Sequence, residues 1–537
     1  MQNQSRVRAG LCLFGTSPSI PQGERPSTAS ALETDPSIPQ SERLSTASAL
    51  ETDPSISQGE RSSITTVRAE VSKPRALVSL LAAALLTACA VGPDYQRPTA
   101  ASPAAFKEAP QAEAGWFPAA PADALDRGPW WQLFGDAELN KLAEHVDISN
   151  QNVAAAVAAY AQARALVAQQ RASLFPQVTL DASAKRSGGN SAASTGNSYQ
   201  LGLGASWEPD LWGSLRRSVE SAQASAQASD AQLAAARLSA QAELATNYFS
   251  LRDADTELGL LRLTVEGYGR ALTITQNRYN AGIAPRTDVL QAQTQLASTR
   301  ADLASLVNTH AQLEHAIAVL IGKAPAEVTL APAEWSAAVP AVPLVVPSEL
   351  LQRRPDIAAA ERDVAAANAE IGVARSAYFP SLSLSASAGG AASRVGDLLK
   401  SSSSLWSLGV SVAQTVFDAG ATGARVDSAV AARDKAVATY RQTVLGAFQS
   451  VEDQLSSLHA LAEQAGLRRT ASEAADQTEQ QLLNRYQAGQ VSYTDVVTAQ
   501  ASALSARRTL AQLAASRLAA SISLIGALGG GWHAPSP

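Results

Sequence analysis

The chain has 537 residues, of which 46% are hydrophobic and 17% charged, and its formal net charge is −6. It is long enough to bury a core, and the lack of a basic excess gives no indication of a nucleic-acid partner. Aromatic residues make up only 5%, and Ala, Gln and Ser dominate the later two thirds. This composition favours long helices that pack closely through small side chains.

The first 70 residues contain a tandem repeat of 18 residues. The stretch "PSIPQGERPSTASALETD" at 18–35 recurs as "PSIPQSERLSTASALETD" at 36–53, and a third copy begins at Pro54 and then fades. Because the repeat is rich in Ser, Pro, Thr and Glu and has no sustained apolar stripe, the segment 1–70 is predicted to be disordered. A folded repeat array would need such a stripe to bury between its copies.

A signal sequence is predicted at 71–88, within the stretch "VSKPRALVSLLAAALLTACAVGPDYQRP". A basic flank at Lys73 and Arg75 precedes an apolar run that is too short for a permanent membrane helix, which is typical of a signal peptide. The ending Leu-Thr-Ala-Cys resembles a lipobox, so Cys89 is predicted to carry diacylglyceryl and N-acyl lipid; the alternative is a Cys buried in an apolar helix. Because signal peptides stand at true N-termini, 1–70 is also interpreted as an over-extended gene start.

After the signal, the chain is organised as two copies of one pattern. Residues 89–135 are rich in Pro and Ala and are predicted to form an extended arm that lies on another surface. Residues 136–330 indicate a helix, two strands ("VTLDASAKR" and "SYQLGLGASW"), a long helix, a turn and a helix. A Pro-rich linker follows at 331–347, residues 348–532 repeat the pattern with "SLSLSASA" and "LWSLGVSV", and 533–537 form a tail.

The four predicted strands alternate between apolar residues and small or polar residues. This alternation is compatible with a half-exposed antiparallel sheet and with a transmembrane barrel that meets lipid outside and water inside. Two hairpins cannot close a barrel by themselves. Either the sheet is open, or several chains contribute to one barrel.

Each hairpin is followed by a long helical stretch without an internal Pro. A helix of about 65 residues is roughly 100 Å long, and the sequence is polar on most faces, so these helices must cross water. Asp210 and Asp418 precede them and are predicted to be their N-caps.

The two copies share a motif at the turn between their last two helices. "RYNAGIAPRTDVLQAQ" begins at 278 and "RYQAGQVSYTDVVTAQ" begins at 485, an offset of 207 residues. Gly282 and Gly489 each follow a helical run and fit the left-handed position that closes a helix. Asp288 and Asp495 each follow a Thr and are predicted to cap the next helix. Each motif is therefore predicted to be the tip of a helical hairpin.

These motifs, together with "CAVGPDYQRP", "WWQLFGDAELNKL", "LLQRRPDIAAAER" and "ALGGGW", resemble the TolC-like outer-membrane efflux proteins, and specifically their lipoprotein branch (OprM-like, NodT-type). The resemblance implies a mixed fold of all-α and transmembrane β-barrel parts. Three chains would close a 12-stranded barrel that continues into a periplasmic α-barrel. The expected function is the exit duct of a tripartite efflux pump, with a periplasmic adaptor and an inner-membrane resistance-nodulation-division transporter as partners.

The resemblance also implies roles for residues at the tips. Asp495 would supply one carboxylate per chain to an acidic ring at the periplasmic aperture, and Tyr486 would form a latch with Asp288. Two positions depart from the family's pattern. Val491 stands where the family has an Arg in the latch, and Thr498 stands where it has a second Asp in the acidic ring. The aperture is therefore expected to be tied less tightly and to be less cation-selective.

Catalysis finds no support in the sequence, which lacks GxSxG, P-loop and CxxC motifs. His310 and His315 flank Glu314, but five residues of helix turn the second His about 140° away from the first, so neither a metal nor another cofactor is expected. Two alternatives stay open. One is a type I protein-secretion duct, and the other is a passive trimeric structural or adhesive coiled coil.

Overall fold

The computed structural model describes residues 91–100, 102–103, 105–108, 129–188, 196–333, 339–340 and 353–530. All of them belong to one compact unit, Lys73–Pro537, and the other unit, Met1–Ser72, lies outside the described residues. Several predicted features also lie outside them: the segment 1–70, the signal 71–88 with Cys89, most of the linker 331–347, and the tail 533–537.

Helices and strands follow the predicted order, except that the predicted first helix is divided in two at Asn150, whose backbone is extended. The first repeat consists of α1 (Ala137–Ser149), α2 (Gln151–Ala172), β1 (Gln177–Ser187), β2 (Gly196–Trp207), α3 (Ser214–Asn280) and α4 (Arg286–Leu320). The second repeat consists of α5 (Pro355–Ser376), β3 (Ser381–Ala392), β4 (Ser404–Ala413), α6 (Ala421–Gln487) and α7 (Tyr493–Ala527).

The lengths of the helices match between the repeats. α3 and α6 each have 67 residues, and α4 and α7 each have 35. α2 and α5 each have 22. This correspondence confirms the internal duplication, and it means that equivalent positions of the long helices differ by 207 in number.

The starts of the two long helices differ from the prediction. Their cap residues are Gly213 and Gly420, which have φ values of 82° and 90°, so Asp210 and Asp418 are not at the cap positions. Each carboxylate nevertheless accepts hydrogen bonds from amides of the first turn: Asp210 from Leu215 (3.1 Å) and Asp418 from Thr422 (2.7 Å). The left-handed glycine curls the chain back, so a more distant Asp reaches the free amides.

The four strands form one antiparallel sheet in the order β1-β2-β3-β4. Both predicted hairpins are present, and β2 and β3 join them. The register places apolar residues opposite one another along a row: Leu180 opposite Leu203, Leu203 opposite Ala388, and Ala388 opposite Trp406. Because side chains alternate between faces along a strand, this register gives the whole sheet one apolar face.

A buried core lies among the helices, away from the sheet. It combines residues of both repeats with α1, including Leu139, Tyr248, Ile357, Tyr440 and Leu518. Among the described helices, α7 alone is long and apolar enough to cross a bilayer by composition, but 44% of its most apolar stretch is buried within the chain. α7 packs on α6 and α3, so we interpret it as a core helix.

Candidate functional site

One face of the sheet carries large apolar side chains that are exposed. Leu180 is 69% exposed, Trp406 is 81% and Leu408 is 77%. The other members of this row are Val178, Leu203, Val410 and Val412, each more than half exposed. A contiguous apolar surface of this kind is unusual in water and is typical of the lipid-facing wall of a membrane barrel.

The opposite face of the sheet is built from small and polar residues. Hydroxyl groups pair across β3 and β4, Ser383 with Ser411 at 2.7 Å and Ser387 with Ser407 at 2.8 Å. A Cβ added at Gly409 would lie 2.7 Å from the Ser385 hydroxyl, so β3 and β4 approach each other closely at this pair. Small polar residues suit the water-facing inner wall of a curved sheet.

Aromatic residues surround the junction between strands and helices. The Trp212 indole donates to the Pro380 carbonyl (2.7 Å) and stacks on Phe379 with ring centroids 4.7 Å apart. The Trp207 indole donates to the Leu174 carbonyl (3.0 Å), and Phe417 is 87% exposed. Such amphipathic rings are enriched where a membrane meets water.

Trp406 lies farther from this aromatic junction than Trp207 does. Trp207 is opposite Leu384 and Trp406 is opposite Ala388 in the register. Four residues of strand correspond to about 13 Å. The two tryptophans therefore lie at different depths on the same face, with Trp406 near the β3–β4 connection.

The outer edges of the sheet are open. Among the described strands, β1 pairs only with β2 and β4 only with β3. An open edge presents unpaired N–H and C=O groups, which are costly inside a membrane. These edges therefore require strand partners that one chain does not provide.

The two tips have the same backbone geometry. Gly282 and Gly489 both have a φ of 74°, as the sequence predicts. The Gly282 amide donates to the Tyr279 carbonyl (2.8 Å), and the Gly489 amide donates to the Tyr486 carbonyl (2.9 Å). The Ile283 amide donates to the Arg278 carbonyl (2.8 Å), and the Gln490 amide donates to the Arg485 carbonyl (2.9 Å). These bonds complete a Schellman turn in each tip.

The helix starts after the tips differ from the prediction, because neither Asp is the cap residue. α4 begins after Pro285 without a side-chain cap, and Asp288 lies in its first turn. α7 begins after Ser492, which forms a capping box with Asp495: the Asp495 carboxylate accepts from the Ser492 amide (3.1 Å) and hydroxyl (2.7 Å). Ser and Asp three residues apart favour this reciprocal arrangement over a cap at Asp495.

Asp495 and Thr498, the predicted aperture residues, are both exposed. They are three residues apart on α7, so they lie on the same side of the helix. The Thr498 hydroxyl donates to the Thr494 carbonyl (2.9 Å), which leaves the Asp495 carboxylate as the charged group of this surface.

Within one chain, Tyr486 and Asp288 do not form the predicted hydrogen bond. Tyr486 is only 6% exposed, and its hydroxyl has no hydrogen-bond partner among the described residues. Its ring packs on Tyr493 with centroids 5.2 Å apart, and the Arg278 guanidinium lies over it at 4.7 Å. The two tips are instead joined by this Arg278–Tyr486 contact and by a hydrogen bond from the Thr494 hydroxyl to Gln291 (3.2 Å).

Tyr493 is a tip residue that sequence reasoning missed. It is 3% exposed and packs in an apolar cluster with Ala292, Tyr486 and Val496. Burial, together with the neighbouring Tyr486, raises the pKa of Tyr493 to about 12. Its position between a cap and an Asp gave no sign of burial, because its burial depends on how Tyr486 and Ala292 pack around it, and Ala292 comes from the other repeat.

A polar network in the middle of the long helices was also missed. Glu257 of α3 is 3% exposed and accepts from Arg508 (3.1 Å) and Gln512 (2.6 Å) of α7. His310 lies 3.0 Å from Asp255, so its partner is a carboxylate on α3. Within the described part of the chain, no group of three His, Cys, Asp or Glu residues could hold a metal ion.

The sequence matches the family described as outer membrane efflux protein over residues 142–323 and 346–530. The chain belongs to the outer membrane efflux protein family. The efflux protein is 30% identical to the cation efflux system protein CusC of Escherichia coli K12, covering 85% of this chain and 100% of that protein. It is 32% identical to the pyoverdine export outer membrane protein OpmQ of Pseudomonas aeruginosa, covering 77% and 89%.

Solved structures agree with this assignment. The outer-membrane channel OprN is 34% identical with a TM-score of 0.75, covering 83% of the efflux protein and 100% of that chain. The open state of the MtrE outer membrane channel of Neisseria gonorrhoeae is 29% identical with a TM-score of 0.71, covering 82% and 98%. The efflux protein is thus an outer-membrane efflux channel that combines membrane strands with long periplasmic helices. This confirms the predicted efflux family, fold class, function and outer-membrane location, while the lipoprotein branch and the lipid anchor stay predictions.

Proposed function

We propose that the efflux protein works as a homotrimer in which three four-stranded sheets close one barrel of twelve strands. The open edges of β1 and β4 support this assembly, because β1 of one chain can pair with β4 of the next around a threefold axis. The outward apolar face and the small polar inner face then meet lipid and water, respectively. The exposed apolar face with its two open edges is the observation that carries the proposal.

The assembly is tested with the purified full chain. We expect three copies per particle by native mass spectrometry and ion conductance in planar lipid bilayers. Particles with a single copy and no conductance would contradict the barrel. A coiled coil without a pore would also be trimeric, but it would not conduct ions, so the two measurements together separate these assemblies.

The channel is proposed to serve a pump that exports small molecules, together with a periplasmic adaptor and an inner-membrane resistance-nodulation-division transporter. Relatives named for cation efflux, pyoverdine export and toluene efflux support this class of cargo. A susceptibility panel on a deletion strain tests it, with loss of resistance to dyes, solvents or antibiotics expected. An unchanged panel with loss of a secreted protein would favour the type I secretion duct.

Cys89 is proposed to carry the lipid anchor. The arm that follows it is held beside the aromatic junction, because the Val91 amide donates to the Trp212 carbonyl (3.1 Å). Two residues span at most about 7 Å, so a lipid on Cys89 would begin close to the membrane surface. Gly92 has a φ of 115°, and a Cβ there would lie 2.6 Å from the Gly372 backbone, so the arm approaches α5 closely.

Ion pairs continue this attachment of the arm. Asp94 pairs with Arg217 at 2.8 Å, and Arg97 pairs with Glu361 at 3.0 Å. Metabolic labelling with palmitate tests the anchor: Cys89→Ala should lose the label and keep much of the trimer, because the barrel itself remains in the membrane. Labelling that persists in Cys89→Ala would reject the site.

The tips are proposed to form the periplasmic aperture, with three Asp495 carboxylates in a ring and Thr498 beside them. Three like charges in a narrow mouth attract cations and repel anions. Within one chain the tips are joined by Arg278 over Tyr486 and by Thr494 with Gln291, which support a closed arrangement of the tips.

Reversal potentials in a salt gradient test the ring. Asp495→Asn keeps the size of the side chain and should reduce cation selectivity, whereas Asp288→Asn, at the equivalent position of the first tip, should change it less. Equal effects of both variants would show that the carboxylates act only through the general field of the tips.

A further inference from the structure

A cavity of about 610 Å³ lies between the two repeats, close to the tips. Its walls come from α3 of the first repeat and from α6 and α7 of the second. Leu260, Leu483 and Leu504 supply apolar surface, and Tyr268 and Tyr493 supply aromatic surface. The volume falls in the range of sites that bind small organic molecules, which are also mostly apolar with a few polar groups.

Polar atoms without partners line this cavity. Tyr486 is 6% exposed and Gln500 is 7% exposed, yet the Tyr486 hydroxyl and the Gln500 Oε1 have no hydrogen-bond partner among the described residues. The Nε of Arg278 is buried without a partner as well, and its guanidinium lies 4.7 Å from the Tyr486 ring. Buried polar groups are normally paired, so these three groups have hydrogen-bonding capacity left for a ligand in the cavity.

The charges around the cavity indicate the sign of that ligand. Arg507 is neutralised by Asp476 (2.8 Å) and Glu479 (3.0 Å). Arg278 forms no ion pair with a carboxylate in the described part of the chain, and Arg270 adds a further positive charge to the lining. The cavity therefore has an excess of positive charge beside Tyr486, where an anionic group would find an N–H donor and an O–H donor together.

We infer that this cavity binds an amphipathic organic anion. Its carboxylate or sulfonate accepts hydrogen bonds from Arg278 and Tyr486, and its apolar body packs on Leu260, Leu483 and Leu504. A hydrogen-bond donor on the ligand reaches Gln500. All the residues named for this site belong to one chain.

The test uses anilinonaphthalene sulfonate, an aromatic anion with one N–H donor, and its neutral analogue phenylnaphthylamine, which lacks the sulfonate. The full chain is reconstituted in nanodiscs of zwitterionic lipid, and fluorescence titration gives the affinity above an empty-nanodisc background. We expect one sulfonate probe per chain. Arg278→Met should weaken its binding about tenfold or more while changing phenylnaphthylamine binding little, because only the anion uses the guanidinium.

The second repeat offers matched controls. Arg485 occupies the position equivalent to Arg278 and is exposed, and Tyr279 is equivalent to Tyr486 and is 40% exposed. Arg485→Met and Tyr279→Phe should leave both affinities unchanged. Leu504→Trp should fill the cavity and remove both probes, and Gln500→Leu, which is close in size, should weaken the sulfonate probe without disturbing the fold.

The outcomes that would overturn the inference are specific. One is the absence of saturable binding above the nanodisc background. Another is binding that none of Arg278→Met, Gln500→Leu and Leu504→Trp reduces. A third is an equal loss in Arg278→Met and Arg485→Met, which would assign the effect to the general charge of the tips. Size-exclusion profiles and circular dichroism of each variant separate loss of binding from loss of fold.

Discussion

Tyr279 and Tyr486 occupy equivalent positions in the two repeats, yet Tyr279 is 40% exposed and Tyr486 is 6% exposed. In the sheet, by contrast, residues of the two hairpins share one environment: Leu180 is 69% exposed and Val410 is 68% exposed. Both hairpins face the membrane, so the same alternation serves both. The two tips pack against each other, and Tyr486 lies inside this contact whereas Tyr279 lies outside it.

A single substitution explains part of this divergence at the tips. Tyr493 in the second repeat stands where Arg286 stands in the first. Tyr486 therefore has an aromatic neighbour at 5.2 Å, while the first tip has a charged residue at the same place. Duplication preserved the turns, and the residues after the turns decided which tip became buried.

The largest expected effect tests the equivalence of the hairpins. Leu203→Arg in the first hairpin and Val410→Arg in the second should each cost about 2–4 kcal/mol, because each places a charge on the lipid face. The amount of folded, heat-modifiable trimer on gels measures this loss. The controls Ser183→Arg and Ser385→Arg lie on the opposite face and should alter conductance more than yield. Equal damage from both sets would show that the faces are assigned wrongly.

Local sequence was sufficient for the sheet and for the turns. Alternation with period two assigns the face of each strand without knowledge of its neighbours, and Gly282 and Gly489 fit their turns because only the backbone conformation matters there. The cap positions were missed by a few residues for two reasons. Ser492 and Asp495 both compete for amides at the start of α7, and the left-handed Gly213 takes the cap position of α3 while Asp210 still reaches the first-turn amides.

Contacts between the repeats could not be predicted from sequence. The Glu257 network joins residues about 250 positions apart, and the sequence around Glu257 looks like any solvated helix. Within one chain Tyr486 does not bond to Asp288, because its ring packs on Tyr493 of its own tip and under Arg278 of the other tip. Such contacts depend on how the helices pack, which no local pattern records.

The next effect concerns Asp253 of α3, whose equivalent in the second repeat is Ala460. Burial, together with the nearby Glu257, raises the pKa of Asp253 to about 6. Between its unfolded pKa near 3.8 and about 6, the folded chain holds a proton that the unfolded chain has lost. The free energy of unfolding therefore falls as the pH rises from about 3.8 to about 6. Above this range the buried Asp253 carboxylate is charged, and the folded protein stays less stable.

Asp253→Asn should remove that penalty and stabilise the protein by about 1–2 kcal/mol at pH 8, with little change at pH 4. Thermal unfolding followed by circular dichroism at both pH values measures the difference. Ala460→Asp is the matched variant and tests whether the second repeat acquires the same pH dependence. An equal gain for Asp253→Asn at both pH values would mean that packing, not ionisation, causes it.

A smaller effect separates the buried tyrosine from the exposed one. Tyr486→Phe removes a buried hydroxyl that has no partner within the described chain. The free energy of unfolding should therefore stay the same or rise by about 1 kcal/mol, and the melting temperature should follow it. Tyr279→Phe, on the exposed equivalent, should change nothing measurable. If Tyr486→Phe lowers stability by as much as a lost hydrogen bond, a neighbouring chain supplies a partner for this hydroxyl, and a latch between chains would have to be reconsidered.

The smallest effect compares the starts of the two helices after the tips. Ser492→Ala removes one half of the capping box and should destabilise the first turn of α7 by about 0.5–1 kcal/mol. Thr287 lies in the first turn of α4, where Pro285 offers no side-chain cap, so Thr287→Ala should leave that helix unchanged. Hydrogen exchange of the amides in both turns measures the difference, with faster exchange expected only near Tyr493. Faster exchange in both tips would mean that the turns are coupled through the Thr494–Gln291 hydrogen bond and do not open independently.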